Sequence, residues 1–178
     1  MRGKNISAED LTAKKELALE VIRRLKAEYP DAGCTLDYDH AWQLLVSVRL
    51  AAQCTDARVN IVVQDLFAKY PSVAALAEAE PEDIEAIVKP CGLGRSKARD
   101  ISACMRMLRD KYDCKVPTTF EELLALPGVG RKSANLIMGD VFGKPAIVSE
   151  HTGTAGRHQG TAEGGDGALE DRPARRGQ

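Results

Sequence analysis

The sequence predicts an all-α protein built from many short helices. Through residue 148, apolar residues recur every three or four positions with charged residues between them, which is the pattern of amphipathic helices. Short segments with Pro, Gly, Thr or Asp separate these runs and supply the capping and turn residues that helix ends require. No segment has a convincing strand pattern.

The helices of the first half follow in order from these patterns. Residues 8–28 repeat Leu and Ile at helical spacing, whereas residues 41–53 are apolar on nearly all sides and predict a buried helix. Thr55 and Asp56 offer caps for the next helix. Residues 71–90 predict two short helices, each beginning at a cap or a Pro.

The second half continues in the same way until its last segment. Residues 92–112 predict a loop and a long amphipathic helix, residues 118–126 begin a helix with Thr before Glu as in a capping box, and residues 131–142 predict one more helix. Residues 149–178 contain seven of the 15 glycines, and Leu169 is their one large aliphatic residue. Such a segment buries too little apolar area to offset the entropy of ordering it, so we expect it to be disordered.

Composition and charge restrict the class of protein. The 178 residues are 44% hydrophobic and 29% charged, as in globular proteins with a real core. The net charge of −1 does not indicate a uniformly basic nucleic-acid surface, but it is compatible with a local basic face. No apolar run is long enough to span a bilayer, and the polar N-terminus has no signal-peptide core. We therefore expect a cytoplasmic protein without a membrane partner.

The five cysteines predict no metal site. Cys34, Cys54, Cys91, Cys104 and Cys114 do not follow the C-x-x-C spacing of metal ligands. An odd number of cysteines in a cytoplasmic chain predicts reduced thiols, mostly buried as small apolar groups.

The stretch "LPGVGRKSAN", residues 126–135, joins two predicted helices and has the features of an anion site. Pro127 restricts the backbone before the turn, and Gly128 and Gly130 allow positive φ and leave room for an approaching group. The next helix begins at about Arg131, so its unpaired N–H groups and the positive end of its dipole face the same side. Together these features suit a phosphate of a nucleic-acid backbone.

Two other interpretations of this stretch are a nucleotide P-loop and a plain turn between helices. A P-loop needs Gly directly before Lys and a second Gly at a fixed distance; Arg131 and Leu126 occupy those positions, which excludes it. The plain turn stays open on these residues alone. Lys132 adds a candidate nucleophile, since an unprotonated amine attacks an electrophilic sugar carbon and forms a Schiff base. A solvated surface lysine is the alternative.

Three segments resemble the endonuclease III family of DNA glycosylases with AP-lyase activity. The family's helix-hairpin-helix motif and the helix after it are similar to "LLALPGVGRKSANLIMGDVFGKPAIV". Its Ser/Ala-Gln-x-Thr-Asp segment is similar to "LLVSVRLAAQCTDARVN", and its next two helices and DNA-facing loop to "YPSVAALAEAEPEDIEAIVKPCGLGRSKARDI". These segments cover most of residues 15–148 in the expected order.

The resemblance implies a plan for the domains. Residues 34–148 are expected to form the family's six-helix domain, with the helix-hairpin-helix at about 119–142. Residues 1–33 hold a helix that, in the family, packs on a partner helical domain carrying a [4Fe-4S] cluster. We expect that domain to be largely missing here, together with the cluster ligands, so no cofactor is expected in this chain. The helix then lacks a cover for the apolar side chains of Leu17, Leu19, Val21, Ile22 and Leu25.

The resemblance also implies the catalytic residues. Lys132 is the expected nucleophile at the sugar C1′, after which the Schiff base allows strand cleavage by β-elimination. The family's Asp assists that lysine, and the corresponding position holds Glu150. The Thr-His that follows the Asp in the family is replaced by His151 and Thr152.

The implied partner is double-stranded DNA with a damaged pyrimidine or an abasic site, bound by a monomer that flips the damaged nucleotide out. Gln53 is expected to fill the gap left by the flipped base, and Leu93 to push apart the opposite strand. A residue capping a buried helix and a loop residue turned into the core are the respective alternatives. The DNA-binding residues implied by the resemblance are Gln53, Leu93, Gly128, Val129, Gly130 and Arg131.

The resemblance ends after Val148. Codons permitted for "ALEDRPARRGQ", read one base later, spell "LWKIVPPEE", which is similar to the family's sequence after its catalytic Asp. We therefore hypothesise a frameshift near Ser149 and a tail at 149–178 that was not selected to fold. The first functional hypothesis is an endonuclease III-like glycosylase and AP lyase with impaired activity on oxidised pyrimidines and abasic sites. The alternatives are a non-catalytic helix-hairpin-helix DNA-binding remnant and a non-functional truncated product.

Overall fold

The computed structural model describes residues 7–148, and the regular elements within that range are all helical. This confirms the all-α prediction. No helix in this range is long and apolar enough to cross a membrane. The predicted tail and Glu150 lie outside the described residues. The helices are α1 (Ala8–Glu28), α2 (Ala41–Ala51), α3 (Asp56–Lys69), α4 (Val73–Glu78), α5 (Pro81–Val88), α6 (Gly94–Lys111), α7 (Phe120–Ala125) and α8 (Arg131–Asp140), with a 3-10 turn at Lys89–Cys91 between α5 and α6.

The chain divides into two compact units between Cys34 and Thr35. The first unit holds α1, which begins where the Ser7 hydroxyl accepts a hydrogen bond from the Asp10 N–H at 3.1 Å. None of the residues of α1 is buried. Its large apolar side chains are between 46% and 66% exposed, namely Leu11, Leu17, Leu19, Val21, Ile22 and Leu25.

The second unit holds α2 to α8 around an aliphatic core. The long helix α6 packs against α4, α5 and α2, while α2 also packs against α3 and α8, and α7 packs against α8. Trp42 and Phe67 meet edge to face with ring centroids 5.1 Å apart. As the low aromatic content predicts, most of the fully buried side chains are aliphatic, including Leu44, Leu50, Leu66, Leu76, Ile84, Ile101, Leu108, Leu123 and Ile137.

The cysteines are less buried than the sequence predicted. None of the five, which all lie within residues 7–148, forms a disulfide; Cys91 and Cys104 are buried, Cys34 and Cys54 are half-buried, and Cys114 is exposed. The prediction is wrong for Cys114 because the chain leaves α6 there through a left-handed turn with φ 59°. Burial raises the pKa of the Cys104 thiol to about 12.

The contribution of the Thr119 cap to the stability of α7, the first helix of the hairpin, can be tested by mutation. The Thr119 hydroxyl accepts from the Glu122 N–H at 3.4 Å, as the capping pattern predicted, and it also donates to the Glu122 carboxylate at 2.6 Å. We expect Thr119→Ala to lower the free energy of unfolding by about 1 kcal/mol in urea denaturation. Thr118→Ala, an exposed neighbour outside the cap, should change it by less than about 0.5 kcal/mol. Equal losses in the two variants would show that the cap adds nothing.

Candidate nucleic-acid interface

The joint between α7 and α8 is a tight turn. The Val129 N–H donates to the Leu126 carbonyl at 3.2 Å, and Gly128 lies in the left-handed region with φ 77°. That conformation favours glycine. Both glycines allow positive φ, but Gly130 does not adopt it and has φ −98° and ψ 177°. Gly130 is the N-cap of α8, and an N-cap residue has extended backbone geometry.

The two glycines also differ in the space around them. A Cβ on Gly128 would lie 2.9 Å from the Asp100 Cβ and 3.1 Å from the Arg49 Cδ, so the backbone rests directly on these two side chains. A Cβ on Gly130 would meet no heavy atom within 4 Å. The turn is therefore packed against the protein at Gly128 and open to an approaching group at Gly130.

An ion pair between α2 and α6 forms the support beneath Gly128. Arg49 contacts the Asp100 carboxylate through Nη2 at 2.6 Å and Nε at 2.8 Å, and its Nη2 also donates to the Ser96 hydroxyl at 3.4 Å. The two charged side chains are 21% and 33% exposed, so water screens the pair less than a surface pair. Sequence reasoning missed this support. The signal was Arg49 itself, since a charge inside the apolar run of residues 41–53 requires a partner.

A second cation of this region, Lys97, is fully buried. Its Nζ donates to the Leu50 carbonyl and to the Cys91 carbonyl, both at 2.8 Å, and its exposed fraction is 0%. Burial is the main cause that lowers the pKa of the Lys97 ammonium. Within residues 7–148 no other charged side chain is buried. Sequence reasoning also missed Lys97, although it precedes Ile101 by four residues and so lies on the apolar stripe of α6.

Gln53 and Leu93, the two residues predicted to insert into DNA, lie in loops next to the carbonyl groups that Lys97 contacts. Gln53 follows the end of α2 with φ 59° and is exposed. Leu93 precedes α6 with φ 51°, and 58% of it is exposed. The alternative in which Leu93 turns into the core is therefore wrong. Because a left-handed backbone is unfavourable for a non-glycine residue, both conformations depend on support from their surroundings.

Arg131 and Lys132 stand exposed in the first turn of α8, which contains no acidic residue. The amino end of a helix carries partial positive charge and favours anions, so two cations there do not stabilise the helix. The structure thus brings the hairpin residues Gly128, Val129 and Gly130 together with both cations, and it places Gln53 and Leu93 in two separate loops.

The described residues do not suit an iron–sulfur cluster. No group of three or more His, Cys, Asp or Glu side chains within residues 7–148 is arranged to hold a metal ion. A [4Fe-4S] cluster needs four thiolate ligands, whereas Cys104 is buried as a neutral thiol within α6 and Cys114 is exposed beyond its end.

The family follows from this fold and from its comparison with known proteins. Residues 46–160 match the family described as HhH-GPD superfamily base excision DNA repair protein. The match includes the hairpin, the Gln53 and Leu93 loops, and the helices that support them. The chain belongs to this superfamily of base excision DNA repair proteins.

Within the superfamily, the chain is similar to endonuclease III. It is 44% identical over 142 residues to the enzyme of Synechocystis sp., covering 80% of this chain and 65% of that protein. It is 38% identical over 143 residues to endonuclease III of Bacillus subtilis, covering 80% of this chain and 65% of that protein. A solved non-covalent complex of an endonuclease III with DNA has a TM-score of 0.71 and 40% identity, covering 77% of this chain and 64% of that one. The chain therefore spans less than two thirds of the length of these relatives.

The contrast between the two glycines can be tested by adding a methyl group to each. We expect Gly128→Ala to lower the free energy of unfolding by about 1–3 kcal/mol, because the methyl group meets Asp100 and the backbone keeps positive φ. Gly130→Ala is the matched control, since it has negative φ and open space, and should lower that energy only through the weaker N-cap preference of Ala, by about 0.5–1 kcal/mol and less than Gly128→Ala. Thermal unfolding of the two variants measures both values. A similar loss in both would contradict the support beneath Gly128.

Proposed function

We propose that this chain binds duplex DNA at damaged sites and opens abasic sites through a Schiff base on Lys132. The observation that carries this proposal is the position of Lys132, in the first turn of α8 and two residues after the open glycine of the hairpin. A group that grips the phosphate backbone there lies next to an amine that can react with the adjoining sugar. A relative solved as a trapped endonuclease III–DNA covalent intermediate, 40% identical to this chain, supports a covalent mechanism.

The hairpin supplies the phosphate contact. The first N–H groups of α8 have no acceptor within the helix, and its dipole places positive charge at the same end. A phosphate that approaches over Gly130 meets these donors without a side chain in its way. Arg131 adds a full charge beside them. The contact reads no base sequence, as expected of a protein that searches DNA for damage.

The reaction follows from the chemistry of a primary amine. In the open form of an abasic site, C1′ is an aldehyde carbon. The Lys132 amine adds to it, and loss of water gives an iminium ion, the protonated Schiff base. The positive charge makes the C2′ proton acidic; its removal expels the 3′ phosphate oxygen and breaks the strand by β-elimination. Hydrolysis of the iminium then restores the free amine.

We propose that excision of oxidised pyrimidines is weaker than the opening of abasic sites. Base excision must break the bond between C1′ and the base, and the family uses an Asp to assist the lysine in that step. Glu150 occupies the corresponding position by count from Lys132, and the two residues after it differ from the family pattern. An abasic site needs no base expelled, so it depends less on this carboxylate.

Gln53 and Leu93 are proposed to hold the DNA open during the reaction. Both residues are exposed next to the helices that form the core, and both have a fixed left-handed backbone. A polar side chain suits the gap left by an extruded nucleotide, because it can form hydrogen bonds with the unpaired base. An apolar side chain suits the space between stacked bases.

Borohydride trapping on a duplex with one abasic site tests the role of Lys132. Borohydride reduces the iminium ion to a stable secondary amine and so joins protein to DNA. We expect an adduct with the unaltered chain and none with Lys132→Ala. Lys115→Ala is the matched control, because Lys115 is an exposed lysine outside the hairpin, and it should give the same adduct as the unaltered chain.

The other outcomes separate the alternative functions. An adduct that persists in Lys132→Ala would assign the nucleophile elsewhere. Binding without any adduct, with an affinity that falls steeply as salt rises, would indicate a DNA-binding module without catalysis. Absence of both would exclude the proposal. When strand cleavage is compared on two duplexes, faster cleavage of the one with an oxidised pyrimidine than of the one with an abasic site would contradict the proposed order of activities.

A further inference from the structure

We infer that Lys97 is a positioning residue that holds the Gln53 loop and the Leu93 loop in register for insertion into DNA. The inference rests on the proposed function, because it assumes that both loops meet damaged DNA. Its basis is the ammonium group of Lys97, which forms hydrogen bonds with one backbone carbonyl just before each loop.

The two acceptors of Lys97 lie just before the two wedge residues. Leu50 is near the end of α2, three residues before Gln53, and Cys91 is the last residue of the 3-10 turn, two residues before Leu93. Carbonyl groups at helix ends have no N–H partner within their own helix. Lys97 supplies that partner to both, with two hydrogen bonds of 2.8 Å. A cation is favourable at these ends because they carry partial negative charge.

A shared anchor couples the two loops. Leu50 is 47 residues from Lys97 along the chain and Cys91 is six, so the ammonium joins the end of α2 to the 3-10 turn, two segments that are distant in the sequence. Displacement of either loop would weaken a bond to the same buried ammonium and leave a carbonyl without its partner. Since Gln53 and Leu93 have left-handed backbones, a loosened loop would relax toward other conformations and lose the direction of its side chain.

Core stability alone does not explain a lysine at this position. Ile101, Met105 and Leu108 continue the same stripe of α6 as apolar side chains. A buried charge must be desolvated, and an apolar residue of similar size often serves the core as well or better. What the apolar residue cannot supply is a pair of N–H donors directed at two separate backbone segments. The geometry therefore points to the relative placement of the loops as the role of Lys97.

Lys97→Met tests this role, because it keeps an unbranched side chain out to Cε and removes the ammonium group that makes both hydrogen bonds. The measurement is the affinity for a duplex containing a tetrahydrofuran abasic analogue, divided by the affinity for the same duplex undamaged. We expect this ratio to fall about 10- to 100-fold, as misplaced contact groups cost reactions comparable factors. Affinity for undamaged DNA should stay within about twofold, since the hairpin that grips phosphate keeps its own support from Arg49 and Asp100. Lys111→Met, at the exposed end of α6, is the control and should leave both affinities unchanged.

The results distinguish failure of this inference from failure of the proposed function. If the unaltered chain does not prefer the abasic analogue and gives no borohydride adduct, the proposed function is wrong. If the unaltered chain shows both properties and folded Lys97→Met keeps the full preference, the proposed function stands and the role of Lys97 is wrong. An equal loss of both affinities in a folded variant would also overturn it, because the hairpin would then depend on Lys97.

Hydrogen exchange in the unaltered chain gives a second test that does not need Lys97→Met to fold. The Cys54 N–H donates to the Ala51 carbonyl at 3.1 Å, and the Gly92 N–H donates to the Lys89 carbonyl at 3.0 Å, so each loop has one protected amide. If Lys97 couples the loops, these two amides open in one event and exchange with the same protection factor. Protection factors that differ by more than about tenfold would show independent opening and overturn the inference.

Discussion

The first two turns of α6 are the support on which the candidate site depends. Ser96 and Asp100 hold the Arg49 guanidinium beneath the hairpin turn, and Lys97 holds the ends of α2 and of the 3-10 turn. Three segments proposed to contact DNA are therefore attached to one helix within about a turn and a half of each other. The helix itself is fixed by its apolar stripe, which packs against α4 and α5. The packed core thus positions the candidate site through the contacts of two cations, Arg49 and Lys97, rather than through contacts made by the loops themselves.

The helices were predictable because the information that forms them is local. Residues 8–28 were predicted as a helix, and α1 has the same bounds; α8 begins at Arg131 as the Gly turn indicated. Amphipathic spacing and capping residues lie within a few positions of the backbone that they control. The resemblance to endonuclease III added the order of the segments and the function proposed for the hairpin.

The support of the site was not predictable by the same means, because its partners are distant along the chain. Arg49 and Asp100 are 51 residues apart, and only the fold shows that they meet. The partners of Lys97 are backbone carbonyls, which every residue carries and which leave no mark in a sequence. The sequence does show a cation on an apolar helix face. Such a cation indicates that a partner exists, but the sequence does not identify that partner.

The two glycines of the hairpin also differ in a way that the fold shows and the local sequence does not. Both were predicted to free the backbone, yet one is required by the protein and the other leaves space for a ligand. At Gly128 the conformation and the contact with Arg49 and Asp100 both exclude a side chain, so this position determines where the turn sits. At Gly130 neither restriction applies, because φ is negative and no heavy atom lies where a Cβ would be. Two cations follow it and the first turn of α8 contains no acidic residue, which supports the proposal that a DNA phosphate binds at this end, beside the amine of Lys132.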